Sequence, residues 1–136
     1  MKSHNGYNPK IVTAFFKEYG VPEPVFEFCF DSERKWRFDL AWPDQLIGRN
    51  TQTHAHLQFS LLYIEVQGGL FSGGRHTRGA ALLREYEKIN RASVLGWRGL
   101  FVTPQQLLTK QTVNMVRECL GLCPVPDKHI GQASSL

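Results

Sequence analysis

Val25-Phe26-Glu27-Phe28-Cys29-Phe30-Asp31-Ser32-Glu33-Arg34-Lys35-Trp36-Arg37-Phe38-Asp39-Leu40-Ala41-Trp42-Pro43 alternates apolar and polar side chains twice around a polar centre. A period of two is the signature of strands. In the first half Phe26, Phe28 and Phe30 fall on one side, with Val25, Glu27 and Cys29 on the other. In the second, Trp36, Phe38 and Leu40 share a face opposite Lys35, Arg37 and Asp39. The turn Asp31-Ser32-Glu33-Arg34 joins the halves, which predicts a hairpin ended by Pro43. Pairing Phe28 with Phe38 and Phe30 with Trp36 keeps the aromatic rings on one buried face and sets Glu27 opposite Asp39. A register shifted by two also keeps the rings together, with Glu27 opposite Arg37 and diagonal to Asp39.

Upstream, Asn8-Pro9 is a helix start, and Ile11, Phe15, Phe16 and Tyr19 recur at helical spacing before Gly20. Downstream, residues 44–57 are polar and without period. Residues 57–67 alternate again, Leu62, Ile64 and Val66 against Tyr63, Glu65 and Gln67, and predict a third strand. Residues 68–79 hold five glycines and end in Arg75, His76 and Arg78, which predicts a basic loop. Residues 80–95 place Leu82, Leu83, Tyr86, Ile89 and Val94 near one side and Arg84, Glu87, Lys88 and Arg91 on the other, a second helix stopped by Gly96. Residues 97–102 predict a fourth strand. Thr103-Pro104 with Gln106 is a capping pattern for a last helix carrying Leu107, Val113, Val116 and Leu120. The order is αβββαβα, without an internal repeat.

A chain of 136 residues suffices for one ordinary core. We expect one domain over residues 1–122 and a flexible tail over 123–136. The net charge of +4 favours polyanionic partners. Most of it arises between Phe71 and Arg91, where five basic residues face two acids. Cys29, Cys119 and Cys123 form an odd set with no metal-ligand spacing, which fits a reducing cytoplasm better than a disulfide framework or zinc ribbon. No apolar run is long enough for a bilayer, and residues 1–10 lack the apolar stretch of a secretory signal. A soluble, cytoplasmic protein with no membrane partner is the expectation.

If the third strand pairs beside the second, Glu65 and Gln67, two apart on one face, converge on Asp39, and Glu27 joins them. Carboxylates held together repel, and a divalent cation is the natural offset. Oxygen ligands without a cysteine cluster point to a hard ion such as magnesium, which keeps waters and substrate phosphate in its remaining positions.

Lys35-Trp36-Arg37-Phe38-Asp39-Leu40-Ala41-Trp42-Pro43, Ile64-Glu65-Val66-Gln67-Gly68-Gly69, Gly74-Arg75-His76-Thr77-Arg78, Glu87-Lys88-Ile89-Asn90 and Gly96-Trp97-Arg98 resemble successive blocks of the PD-(D/E)XK nuclease superfamily. Within it they are most similar to the Holliday-junction-resolvase-like and very-short-patch-repair-like endonucleases of bacteria and phages. The blocks cover residues 27–103. The resemblance implies an α/β fold with a restriction-endonuclease-like αβββαβ core, a mixed central sheet flanked by helices. It implies Mg2+, replaceable by Mn2+, bound by Asp39, Glu65 and the backbone carbonyl of Val66, with Glu27 as an additional acid. The expected activity is metal-dependent hydrolysis of DNA, branched DNA by preference, in a bacterial or phage-infected cell. Symmetric cutting of a junction would need a two-fold homodimer. Two features depart from the family pattern. Gln67 stands where the family usually has lysine, and Lys88 is the candidate replacement cation. Residues 44–57 replace a much tighter turn.

A single acid on a strand is more often a solvated surface residue than a ligand. Asp39 and Glu65 rise above that base rate because each interrupts an apolar strand on the same predicted face. Arg75, His76 and Arg78 suit phosphate contacts, against the bland reading of a solvated helix face. His54 and His56 lack a third zinc partner, and Trp36, Trp42 and Trp97 are assigned to packing. Two rival functions remain, a non-catalytic DNA-binding module on a nuclease fold and a restriction or mismatch-repair nuclease.

Overall fold

The computed structural model describes residues 6–47, 58–68 and 75–126, with the backbone alone at 46–47, 58 and 75–78. Its elements run α1 (Pro9–Glu18), β1 (Val25–Asp31), β2 (Trp36–Trp42), β3 (Leu46–Ile47), β4 (Gln58–Phe59), β5 (Leu62–Val66), α2 (Arg75–Val94), β6 (Arg98–Val102), α3 (Pro104–Leu107) and α4 (Lys110–Cys119). The main sheet has the order β1-β2-β5-β6. β1, β2 and β5 are antiparallel neighbours, and β6 returns parallel to β5 after the α2 crossover. The protein is therefore α/β, a four-stranded mixed sheet with helices on both faces. One layer joins α1, α3 and α4 to Leu40, Trp42, Leu62, Ile64 and Val66. The other joins Ala92 of α2 to Phe38, Ala41 and Tyr63.

Local chemistry sets the ends of these elements. Asn8 caps α1, its side chain accepting the Lys10 N–H at 2.9 Å, with Pro9 in the first turn. Val12 and Phe16 are the buried residues of this helix, and the expected Ile11 is exposed. Thr103 and Gln106 form the expected capping box. The single last helix, however, is two helices. Thr109 accepts the Thr112 N–H and recaps the chain after Leu108. Arg117 on α4 then closes the far end of α1, its guanidinium donating to the Tyr19 carbonyl at 2.8 Å and to the Cys123 carbonyl at 2.7 Å. Cys123 to Pro126, the first residues of the expected tail, lie along α4, where the Asn114 side chain accepts the Val125 N–H. Residues 127–136 lie outside the described residues.

Hydrogen bonds from a charged donor are worth about 1.5–3 kcal/mol. Arg117→Met is therefore expected to lower unfolding stability by about 2 kcal/mol in a urea titration. No change would show that the guanidinium links contribute nothing net.

The hairpin follows the expected register from Val25 to Cys29, with Phe28 opposite Phe38, and departs from it only at the turn end. A bulge between Cys29 and Asp31 makes Asp31, and not Phe30, the partner of Trp36. The expected single aromatic face is also divided. Phe26 and Leu40 pack in the α1 layer, whereas Phe28, Phe30 and Phe38 pack in the α2 layer. The crossover falls at Glu27 and Asp39, bracketed by the pairs Phe26–Leu40 and Phe28–Phe38. Glu27 has φ +53, a left-handed conformation that breaks the alternation of a strand. Beyond it, the rings of Phe30, Phe38 and Tyr63 stack in parallel, at 4.0 and 3.8 Å between centroids. The Tyr63 ring lies where a Cβ on residue 99 would be, so only Gly99 permits the stack to sit on β6.

The expected third strand is also interrupted. Leu61, at φ +38, separates β5 from β4, and β4 pairs with β3 as a small second sheet. Buried Ser60 fastens the break, donating to the Trp42 carbonyl and accepting the Gln45 N–H. Part of the connection read as 44–57 is thus β3. Residues 48–57, with His54 and His56, lie outside the described residues.

Candidate active site

β2 and β5 pair from Trp42–Leu62 to Leu40–Ile64, and the ladder stops one step before Asp39 and Glu65. At that point the side chains take over the backbone pairing. The Asp39 carboxylate accepts the Val66 N–H at 2.7 Å, and the Glu65 carboxylate accepts the Asp39 N–H at 3.2 Å. The two acids are only 8% and 4% exposed. They lie within hydrogen-bonding reach of each other. Buried carboxylates this close cost several kcal/mol unless a cation or proton compensates.

Lys88 supplies part of that compensation, its ammonium pairing with Glu65 from α2. Burial, opposed by the Lys88 ammonium and reinforced by Asp39, leaves the Glu65 carboxyl raised to about 7. The sequence had placed Lys88 on the solvent side of its helix. In the structure α2 turns the other way, with Lys88 and Ala92 inward at a spacing of four. Leu82, Leu83, Tyr86 and Val94, the expected apolar stripe, are exposed.

The other candidates are placed less closely. Glu27 is exposed on β1 at the position facing Asp39, and its carbonyl accepts from the Arg37 guanidinium at 3.1 Å. An acidic residue at φ +53 within a strand costs about 1–3 kcal/mol, strain of the kind that gathers at functional sites. Gln67 follows β5 and donates its N–H to the Val102 carbonyl at 2.7 Å. Arg75, His76 and Arg78 belong to the first turns of α2 and not to a loop; one glycine at 79 costs about 1 kcal/mol and does not stop a helix. Their side chains lie outside the described residues, as do residues 69–74.

Sequence reading missed Tyr7. It is 5% exposed and stacks on Phe26 at 6.3 Å. Burial and the charges of Asp39, Glu27 and Glu65 hold its hydroxyl well above the usual range for a phenol. The one available signal was its place before the Asn8 cap, where an apolar residue commonly packs back on the helix.

The donor chemistry fits a hard divalent cation. Asp39 and Glu65 offer carboxylate oxygens beside the Val66 backbone, and among the described residues no sulfur or imidazole joins them. Among the described residues no three His, Cys, Asp or Glu side chains form a closed cage, so water or substrate would complete the shell. Protons compete with a metal for Glu65. Because its carboxyl is raised from 4.5 to about 7, the metal-free fold holds a proton that the unfolded chain has released. Metal-free stability therefore falls as pH rises through that window. Mn2+ affinity is expected to be about tenfold weaker at pH 6 than at pH 8, measured by calorimetric titration. Equal affinities would show that Glu65 is not a ligand.

The fold and site together define an α/β protein with a buried acid pair at the open end of a mixed sheet. Among the described residues no helix is long and apolar enough to cross a membrane. The chain matches no protein-family model, no curated protein and no solved structure.

Proposed function

We propose that the chain is a metal-dependent DNA endonuclease on a restriction-endonuclease-like core, one that hydrolyses phosphodiester bonds in branched DNA. The observation that carries this reading is the buried pair Asp39–Glu65, set side by side where β2 and β5 separate, with Lys88 against it. The element order supports it, since an antiparallel hairpin, a third strand, a crossover helix and a parallel fourth strand follow the αβββαβ core. Asp39, Glu65 and the Val66 carbonyl would hold Mg2+, or Mn2+ in its place. A bound Mg2+ lowers the pKa of water and offsets charge developing on the phosphate.

Within this reading the protein's own groups divide the work. The N–H groups of Asp39 and Val66 fix the two carboxylates, so little reorganisation accompanies cation binding. Lys88 neutralises Glu65 in the metal-free protein and, with a cation on the acids, would be available to a phosphate entering over them. Gln67 can orient water through its amide without adding charge. Glu27 adds an acid at the rim. Arg75, His76 and Arg78, at the start of α2, would contact the DNA backbone, and a two-fold homodimer would let two sites cut a junction symmetrically.

The test is incubation with Mg2+ and labelled linear, nicked and four-way DNA. Cleavage of the four-way substrate is the expected result, and absence of cleavage of all three overturns the reading. One observation favours a second reading, a DNA-binding module without catalysis. Lys88 already neutralises Glu65, so the fold does not need a metal there. Salt-sensitive DNA binding with no calorimetric Mn2+ signal would establish that alternative.

A further inference from the structure

Lys88 reaches the acid pair from the α2 layer; Tyr7 belongs to the opposite layer, with Leu40 and Ile64. Its ring lies on Phe26 at 6.3 Å, and Phe26 pairs with Leu40. Tyr7 is thereby seated one residue from Glu27 on one strand and one residue from Asp39 on the next. Its backbone is clamped from both sides. Asn8, the following residue, caps α1. Gly6, the preceding one, has φ +82 and lies so close to α3 that a Cβ would meet the Pro104 ring at 2.9 Å. The backbone is thus held on both sides of Tyr7 while its ring stacks on Phe26, beside the strand positions of Glu27 and Asp39.

We propose that the Tyr7 hydroxyl is a hydrogen-bond donor to the substrate phosphate, approaching from the α1 side of the acid cluster while Lys88 approaches from the α2 side. This inference rests on the nuclease reading. A phosphate brought over the Asp39–Glu65 pair needs donors, and a neutral one adds no positive charge to compete with the bound cation. A phenol is protonated at working pH even without perturbation, and the surrounding carboxylates reinforce that state. The group therefore donates and does not act as base or nucleophile. A hydrogen bond to a charged oxygen is worth about 1.5–3 kcal/mol, or roughly tenfold to a hundredfold in rate when made in the transition state.

Tyr7→Phe removes the hydroxyl and keeps the ring on Phe26. The expected result is a tenfold to hundredfold lower kcat on four-way DNA at saturating Mg2+, with Mn2+ affinity, KM and unfolding midpoint unchanged. Cleavage by Tyr7→Phe at the wild-type rate overturns the inference while leaving the nuclease reading intact. A parallel loss of Mn2+ affinity also overturns it, because the hydroxyl would then be acting by holding a carboxylate. A lowered unfolding midpoint counts against it in the same way, and Tyr7→Leu, which also removes the ring, calibrates that packing effect. If the wild type does not cleave, or Asp39→Asn cleaves normally, the underlying reading fails on its own evidence, independent of Tyr7.

Discussion

Asp39→Asn is expected to reduce metal-dependent DNA cleavage by at least about a thousandfold without unfolding the protein. The two halves of that result have separate causes. The Asp39 carboxylate accepts the Val66 N–H at 2.7 Å, and an asparagine amide oxygen can accept the same bond, so the join between β2 and β5 survives. The negative charge does not survive, and with it goes one of the two carboxylates that would hold the cation. Loss of metal charge stabilisation at a transferring phosphoryl group costs several kcal/mol. A subtler effect runs the other way. Asp39 raises the Glu65 carboxyl, so removing its charge favours the ionised Glu65 and tightens the pair with Lys88. Metal-free Asp39→Asn should therefore unfold at the same temperature as the wild type or higher. Undiminished cleavage with Mg2+ would remove Asp39 from the mechanism, whereas a sharply lower unfolding temperature would recast it as a structural residue.

That separation between charge and scaffold also explains what the sequence made legible. Alternation exposed β1, β2 and β5, because each strand is short, apolar and bounded by turn residues, and it placed Phe28 opposite Phe38. It could not show which layer each ring joins. In β1 the change of layer coincides with the left-handed φ of Glu27, which leaves no mark on residue type. The bulge before Asp31 and the break at Leu61 escaped notice for the same reason. Asp39 and Glu65 were legible because acids in apolar strands violate the local pattern. The orientation of α2 was not. Periodicity ranks faces by apolarity, yet here the face carrying Lys88 meets the buried carboxylate across the layer, and Leu83 and Val94 are exposed. Tyr7 lies in a polar segment with no period, and only the tertiary fold brings it to the hairpin.

Under the nuclease reading, the same rotation of α2 makes Lys88 the residue on which turnover would depend. Lys88→Met keeps much of the side chain's apolar length and removes its charge. Cleavage is expected to fall on the order of a thousandfold, comparable to losing a principal electrostatic donor at a developing negative charge. Glu65 would lose the partner that lowers it, and its carboxyl would rise further above 7. Mn2+ affinity at pH 8 should fall far less than cleavage does, because the loss of a competing ammonium offsets the extra protonation of Glu65. Activity and metal binding are thus affected to very different extents, which a loss of fold would not produce.

A second substitution asks whether the cation's position in the sequence matters or only its position in space. Gln67 continues extended from β5, with its N–H on the Val102 carbonyl, so by strand alternation its side chain returns to the face of Glu65. Gln67→Lys in the Lys88→Met background should recover at least about tenfold of the lost cleavage. The same substitution in Asp39→Asn should recover none, since an added ammonium cannot replace a ligand. A double variant as inactive as Lys88→Met would mean that an ammonium on β5 cannot do the work of one on α2. Full activity in Lys88→Met alone would reduce Lys88 to a counter-ion for Glu65 and return the chemistry to the two carboxylates and Gln67.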